Sequence, residues 1–230
     1  MSFKEFQVEP NLVIKVIKRQ KARRIKITLD SSGEIKVSIP YFIPYQTGLA
    51  FAKSKLDWIK AKRVTPIKVE DSKQIGKSHR LRFINTDSDR VTTKIVDLTI
   101  KIFVPKNLDI SDSKIQKAAI LASRKALTKE ALNLIPQRVR LLAEKHEIDF
   151  NNIAVKFTKS RWGSCDNKKN LTFNPNLMNL PWHLIDYVII HELAHTRKMH
   201  HQPDFWSEVE AMLPNYKILR KELKAIRNSF

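Results

Sequence analysis

A single cysteine, Cys165, stands in 230 residues, so no intrachain disulfide can form. No apolar run approaches the roughly 20 residues that span a bilayer. The first residues, Met1-Ser2-Phe3-Lys4-Glu5-Phe6, lack the apolar segment of a secretory leader. Together these absences point to a cytoplasmic protein with no membrane partner. Glycine is scarce, with four in the chain, and no glycine-rich phosphate loop occurs. No carboxylate cluster suited to magnesium is visible, nor any internal repeat. Acid is also short: 23 Asp and Glu stand against 43 Lys and Arg, a net charge of +20.

That excess is spread along the chain, +12 in residues 1–110 and +8 in residues 111–230. Its densest cluster runs from Lys15 to Lys26, with Arg19, Arg23 and Arg24 inside it and no acid. A field of this sign attracts polyanions, and the three arginines are candidate nucleic-acid contacts. A solvated strand face accounts for the same cluster, since the stretch has no aromatic interleaving.

The hydrophobic content of 42% suits a packed core, and its periodicity changes midway. Ile25, Ile27 and Leu29 alternate with Lys26 and Thr28. Asp30-Ser31-Ser32-Gly33 then reads as a turn, and Ile35, Val37 and Ile39 resume the alternation, a hairpin pattern. Leu12 to Ile17 alternates loosely. Residues 46–63 read as a helix, and strands are expected near 79–84 and 91–104. From Ser111 the period becomes helical, with Asp112 or Ser111 as the cap and Ile115, Ala119, Ala122 and Ala126 on one face. Pro136 is expected to open a further helix ending near His146. The chain therefore reads as α+β: a strand-rich N-terminal region, 1–110, and a helical region, 111–230. The first region is expected to be a scaffold or to present substrate.

The chemistry lies in His191-Glu192-Leu193-Ala194-His195. This is H-E-x-x-H in a stretch whose Ile185, Val188, Ile189 and Leu193 have helical spacing. Residues four apart share a helix face, so two imidazoles can reach one metal ion, with Glu192 placed to take a water's proton. That is a zincin arrangement. A catalytic zinc takes three protein ligands and keeps one position open. His200 and His201 are the candidates for the third. His201 lies six residues after His195, an interval used by several zincin groups. The metzincin turn carries a glycine within that interval, and Thr196-Arg197-Lys198-Met199-His200 has none. Asp204 reads as the cap of a following helix, which leaves His201 in the connection.

Further stretches match a family. They are Arg161-Trp162-Gly163-Ser164-Cys165, Leu171-Thr172-Phe173-Asn174, Asp186 to His195, and His201 followed by Phe205-Trp206. Ile35 to Pro40 and Asp57-Trp58-Ile59 match as well. In these the chain resembles the YgjP-like metallopeptidases, relatives of the WLM and SprT-like zincins, over nearly its whole length. The resemblance implies one Zn2+ per chain on His191, His195 and His201, and Glu192 as catalytic base. It implies a polypeptide substrate and a zinc-dependent metallopeptidase. Members of the family are also described as metal-dependent nucleotide pyrophosphatases, which is the alternative. A third reading is a nucleic-acid-associated protease acting on DNA-bound proteins.

Around the motif, Arg161, Trp162 and Asn174 are candidate substrate contacts or braces of the site. Gly163 permits a tight turn in a loop over 160–165. Cys165 reads as a buried thiol, because a fourth protein ligand would close the open metal position. Segment 171–174 reads as an edge strand for an extended peptide, or as an ordinary sheet strand. Arg161 and Tyr187 are candidate oxyanion donors. His79, His146 and His183 are assigned no role.

Overall fold

In the computed structural model, residues 2–10, 12–29, 34–62, 68–158 and 160–226 are described. Two compact units divide at 68/69, one covering Met1–Lys68 and the other Val69–Phe230. The change from strand to helix near 110 is therefore not where the units part. The strands at 74–105 pack with the long helix that follows them, because that helix is what covers their apolar face.

The first unit holds β1 (Phe3–Glu9), β2 (Leu12–Arg19), β3 (Lys26–Leu29), β4 (Ile35–Pro40), α1 (Tyr45–Lys53) and α2 (Leu56–Lys62). The expected single helix over 46–63 is thus two. The sheet order is β1-β2-β4-β3, with β2 and β4 parallel and both outer pairs antiparallel. The β3–β4 hairpin forms in the expected alternation. Its turn residues, Asp30-Ser31-Ser32-Gly33, lie outside the described residues. Period-two patterning puts Leu12, Ile14 and Val16 of β2 and Ile35, Val37 and Ile39 of β4 on one buried face, which Ala52 and Ile59 of the helices cover.

The second unit begins with β5 (Gln74–Ile75), β6 (His79–Thr86), β7 (Thr92–Val96) and β8 (Thr99–Pro105). Their order is β5-β6-β8-β7, with β6 and β8 parallel and the outer pairs antiparallel. This repeats the order and strand senses of the first sheet, a similarity with no trace in the residue pattern.

α3 (Ser113–Lys145) follows, capped by the Asp112 side chain, which accepts from the Lys114 N–H. It runs through Pro136, so no second helix opens there. The apolar stripe stays in phase from Leu127 and Ala131 to Ile135, Val139 and Leu142, and its burial outweighs the lost backbone bond. The carbonyl left without a donor is that of Leu132, a residue on the exposed side, where water reaches it.

Beyond α3 come β9 (Ile153–Val155), β10 (Gly163–Cys165) and β11 (Leu171–Phe173), then a 3₁₀ turn at Pro175–Asn179. The helices α4 (Trp182–Ala194), α5 (Pro203–Met212) and α6 (Tyr216–Ala225) complete the chain. The third sheet has the order β10-β11-β9. β11 is its centre, paired on both sides, so the 171–174 segment is no edge and has no free backbone to offer a peptide. The expected loop at 160–165 contains β10, which is an edge strand, as β9 is on the other side.

Two clamps hold the elements that carry the site. Gly76, with φ of 66°, turns the chain around the buried carboxylate of Glu130 on α3. That carboxylate accepts from the N–H groups of Lys77 (2.7 Å), Ser78 (2.9 Å) and His79 (3.2 Å), and it meets His79 Nδ1 at 2.5 Å. A Cβ on Gly76 would sit 2.1 Å from a Glu130 oxygen. The same turn donates from Gly76 N–H to Asn179 Oδ1 and from Lys77 Nζ to the Leu180 carbonyl, fixing the approach to α4. The second clamp is Arg138 of α3, whose guanidinium donates two bonds of 2.6 Å to Asp186 of α4.

Candidate metal centre

α4 is buried along most of its length: Leu184, Ile185, Tyr187, Val188, Ile189, Ile190, Glu192, Leu193 and Ala194 are all buried. A helix apolar all round sits within a core, and this one packs against α3, α5, α6 and β10. His191 and His195 therefore project from a fixed element, one turn apart, with ring centroids separated by 4.8 Å.

The chain then reverses without a glycine. Thr196 and Arg197 donate to the carbonyls of Leu193 and Ala194, and the Thr196 hydroxyl donates to Leu193 as well. The Lys198 carbonyl lies 3.0 Å from His195 Nδ1, which orients that ring with Nε2 facing the site. α5 opens with Gln202 as its cap and Pro203 in its first turn, so Asp204 is not the cap. The Trp206 indole donates to the His201 carbonyl at 3.2 Å and holds that residue against the cluster. His200 points elsewhere, with Nδ1 3.5 Å from the Asp204 carboxylate.

The result is a convergence of three ring nitrogens. His201 Nε2 lies 3.1 Å from His191 Nε2 and 3.2 Å from His195 Nε2. Hydrogen bonds alone satisfy such a group poorly, because a neutral ring nitrogen either donates one proton or accepts at one lone pair. A metal ion accepts all three lone pairs at once. Tetrahedral zinc with Zn–N of about 2.0–2.1 Å sets its ligand nitrogens about 3.3–3.4 Å apart, close to the spacing seen. The donor set thus fits a zinc-like cation. Burial, followed by the neighbouring His195, His201 and Arg220, pushes His191 down to about 3, so it stays neutral and keeps its lone pair. His195 is lowered too, chiefly by burial.

Glu192 follows His191 and is 5% exposed. Burial pushes its carboxyl up to about 8, partly opposed by the Arg161 guanidinium. Its space exists because of Gly163: a Cβ there would lie 2.7 Å from Glu192 Cγ and 2.8 Å from Oε1. The missing side chain is what matters at Gly163, which lies in a strand and makes no tight turn. Cys165, two residues along the same face of β10, is a half-buried thiol pushed up to about 11 by burial and then by Glu192 and Asp166.

The remaining candidates fall into place around this. Asn174 is 1% exposed and braces the loop before β10. Its amide donates to the carbonyls of Thr158 and Arg161, and its Oδ1 caps the 3₁₀ turn. The Trp162 carbonyl accepts from Asn174 N–H, so the expected 161–165 stretch is tied to β11. Arg161 is exposed. Tyr187 is buried and pushed up to about 12, mainly by burial. His183 meets Glu222 at 2.9 Å, linking α4 to α6. Arg19, Arg23 and Arg24 belong to the other unit.

Three features of the site were given no role in the sequence or, like Gly163, a different one. An Asp inside an apolar helix, Asp186, signals a need for a buried partner, and Arg138 supplies it. A glycine within an alternating segment, Gly163, signals close approach by a neighbour. Arg220 left no signal. Its guanidinium lies 4.3 Å over the Trp206 ring, which in turn is 5.7 Å from the His201 ring and 5.8 Å from that of His191.

The profile of the YgjP-like metallopeptidase domain matches residues 23–226. The chain belongs to the YgjP-like metallopeptidase family. The match starts at Arg23, so the family's span includes most of the first unit as well as the helical second one. No curated protein matches the chain. Among solved structures, it is similar to the metallopeptidase zymogen abylysin of Pyrococcus abyssi. That alignment has 21% identity over 40% of this chain and 93% of the other, with a TM-score of 0.37. It is also similar to the metallopeptidase zymogen jannalysin of Methanocaldococcus jannaschii, with 24% identity over 40% of this chain and 97% of the other, and a TM-score of 0.33. The family implies a metal ion, and among the described residues His191, His195 and His201 form the one cluster able to hold it.

Proposed function

We propose that this YgjP-like protein is a zinc-dependent peptidase, with His191, His195 and His201 as the metal ligands and Glu192 as the general base. The observation that carries the proposal is the convergence of three Nε2 atoms, two of them from the turn of helix that also carries the buried Glu192. Zinc on these imidazoles would supply a Lewis acid that polarises a peptide carbonyl and acidifies a water. Glu192 takes the proton of the attacking water and passes it to the leaving amine. Its burial keeps bulk water from competing, and the missing side chain at Gly163 leaves it room. Arg161 and Arg220 are the charged donors available to substrate oxygens.

The polypeptide would lie along β10. Asn174 N–H bonds to the Trp162 carbonyl, and Asp166 N–H to that of Asn170. By antiparallel alternation, Ser164 also faces β11, so the N–H and C=O groups of Gly163 and Cys165 point to the free edge. An extended chain added there would run beside Glu192. The deciding experiment is metal analysis together with cleavage of a peptide library by the parent and by Glu192→Gln. About one zinc per chain is expected in both proteins, with cleavage in the parent alone. Equal cleavage by the metal-replete variant would defeat the assignment of Glu192. Glu192-dependent turnover of nucleotides and not peptides would defeat the peptidase reading.

A further inference from the structure

The C-terminal ends of β2 and β4 carry a surface that is cationic and aromatic at once. The two strands are parallel, so Lys18 and Arg19 finish beside Ile39 and Pro40. The chain leaving β4 then places Tyr41 and Phe42 in solvent, 62% and 83% exposed. Lys18 Nζ lies 5.4 Å from the Tyr41 ring centroid and 5.1 Å from that of Tyr45, and Lys4 Nζ lies 5.4 Å from Tyr45. A groove of about 700 Å³ opens here, lined by Ser2, Lys18, Arg19, Gln20, Lys21 and Tyr41. It contains no acid, and Lys18, Arg19 and Lys21 form no ion pair among the described residues. Arg23 and Arg24, both exposed, continue the basic track toward β3.

The cation cluster read in sequence thus gains in space the aromatic partners that it lacks along the chain. Two consecutive aromatics stand in solvent, and Lys18 lies beside the ring of the first, so the surface offers a partner flat apolar faces next to cations. That partner must be anionic and must also present flat apolar faces. Nucleic acid does both, but in a duplex the base faces are covered by their neighbours, and only an unpaired strand can stack on a side chain. An anionic membrane would favour a continuous apolar face, whereas Tyr41 borders a groove containing Ser2 and Gln20.

We propose that this face of the N-terminal unit binds single-stranded nucleic acid, with bases stacked on Tyr41 and Phe42 and phosphates held by Lys18, Arg19 and Lys21. The full-length protein is titrated into a fluorescent oligothymidylate of about 12 nucleotides, a duplex of the same length, and phosphatidylglycerol vesicles, across a salt series. Single strand should bind at least about tenfold more tightly than duplex. Tyr41→Ala with Phe42→Ala should lose about five- to hundredfold of single-strand affinity per stacked base and leave duplex binding unchanged. Arg19→Ala with Lys21→Ala should weaken both and reduce the single-strand salt slope by about 0.7 per lost phosphate contact. All four positions are exposed, and unchanged melting confirms that the variants fold. Equal affinity for single strand and duplex, with no loss in the aromatic variant, would reduce the surface to plain electrostatics and overturn the proposal. So would no binding at low salt, or vesicle binding that depends on Tyr41 and Phe42 while oligothymidylate is ignored.

Discussion

Substituting Gly163→Ala adds one methyl group to the chain and brings it onto the carboxylate of Glu192, the proposed general base. The new Cβ would stand 2.7 Å from Glu192 Cγ, 2.8 Å from Oε1 and 3.0 Å from Cδ. Carbon atoms rest about 3.5–4.0 Å apart, so the Glu192 side chain must retreat by roughly 1 Å. Little room exists for this, because Glu192 is 5% exposed. Gly163 lies in ordinary strand backbone, so alanine adds no conformational strain and the effect isolates the collision. A displacement of about 1 Å at a reacting group costs on the order of a hundredfold in rate. Overpacking of a filled site costs about 1–3 kcal/mol, or a few degrees in Tm for a unit of this size. The three imidazoles are untouched, so zinc should remain at about one per chain. The assay is kcat/KM on a cleaved peptide, with metal content and melting measured in parallel. Ser164→Ala, on the opposite face of β10, serves as control and should keep full activity. A metal-replete Gly163→Ala protein within about twofold of the parent would refute the reasoning, because Glu192 would then tolerate the displacement.

Other consequences follow from the same geometry. His201→Ala should lose most zinc affinity while His200→Ala retains it, since His201 Nε2 meets both other ring nitrogens and His200 faces Asp204. The reverse pattern in zinc titrations would show that the connection between α4 and α5 is arranged differently. Glu130→Gln would turn an amide toward three backbone N–H donors, and it should cost about 1–3 kcal/mol in denaturant unfolding. A change below about 0.5 kcal/mol would mean that the Gly76–His79 turn is not a clamp. Cys165, pushed up to about 11, is almost wholly protonated at pH 7, and thiolate rather than thiol is the nucleophile. Alkylation of the folded protein should therefore be slow at neutral pH and climb as pH approaches 11. It should be fast at pH 8.5 only after unfolding. Rapid native labelling at pH 7 would show an environment opposite to the one described.

What could be read along the chain was whatever depends on near neighbours. Helical spacing alone puts His191 and His195 on one face with Glu192 between them, because four residues make about one turn. Alternation alone makes β3 and β4 a hairpin, and Asp112 is legible as a cap because its side chain bonds two residues away. Pro136 shows where local reading fails. Its missing N–H argues for a helix start, but a buried stripe extending on both sides carries the helix through.

Tertiary structure decided the matters that depend on distant partners. The residue types of β10 and β11 do not say which strand is central; pairing of β11 with β9 decides it and leaves β10 at an edge. Which of His200 and His201 brings its ring to the other two rests on a turn closed by Lys198 and on an indole from α5. The division at 68/69 arises because β5 to β8 bury their apolar face under α3, whereas residues 1–68 cover their own sheet with α1 and α2. The proton affinity of Glu192 is the sharpest case. A glutamate's chemistry is written in its side chain, but its rise to about 8 comes from burial beneath a strand some 30 positions earlier, at the one residue whose lack of a side chain makes room for it.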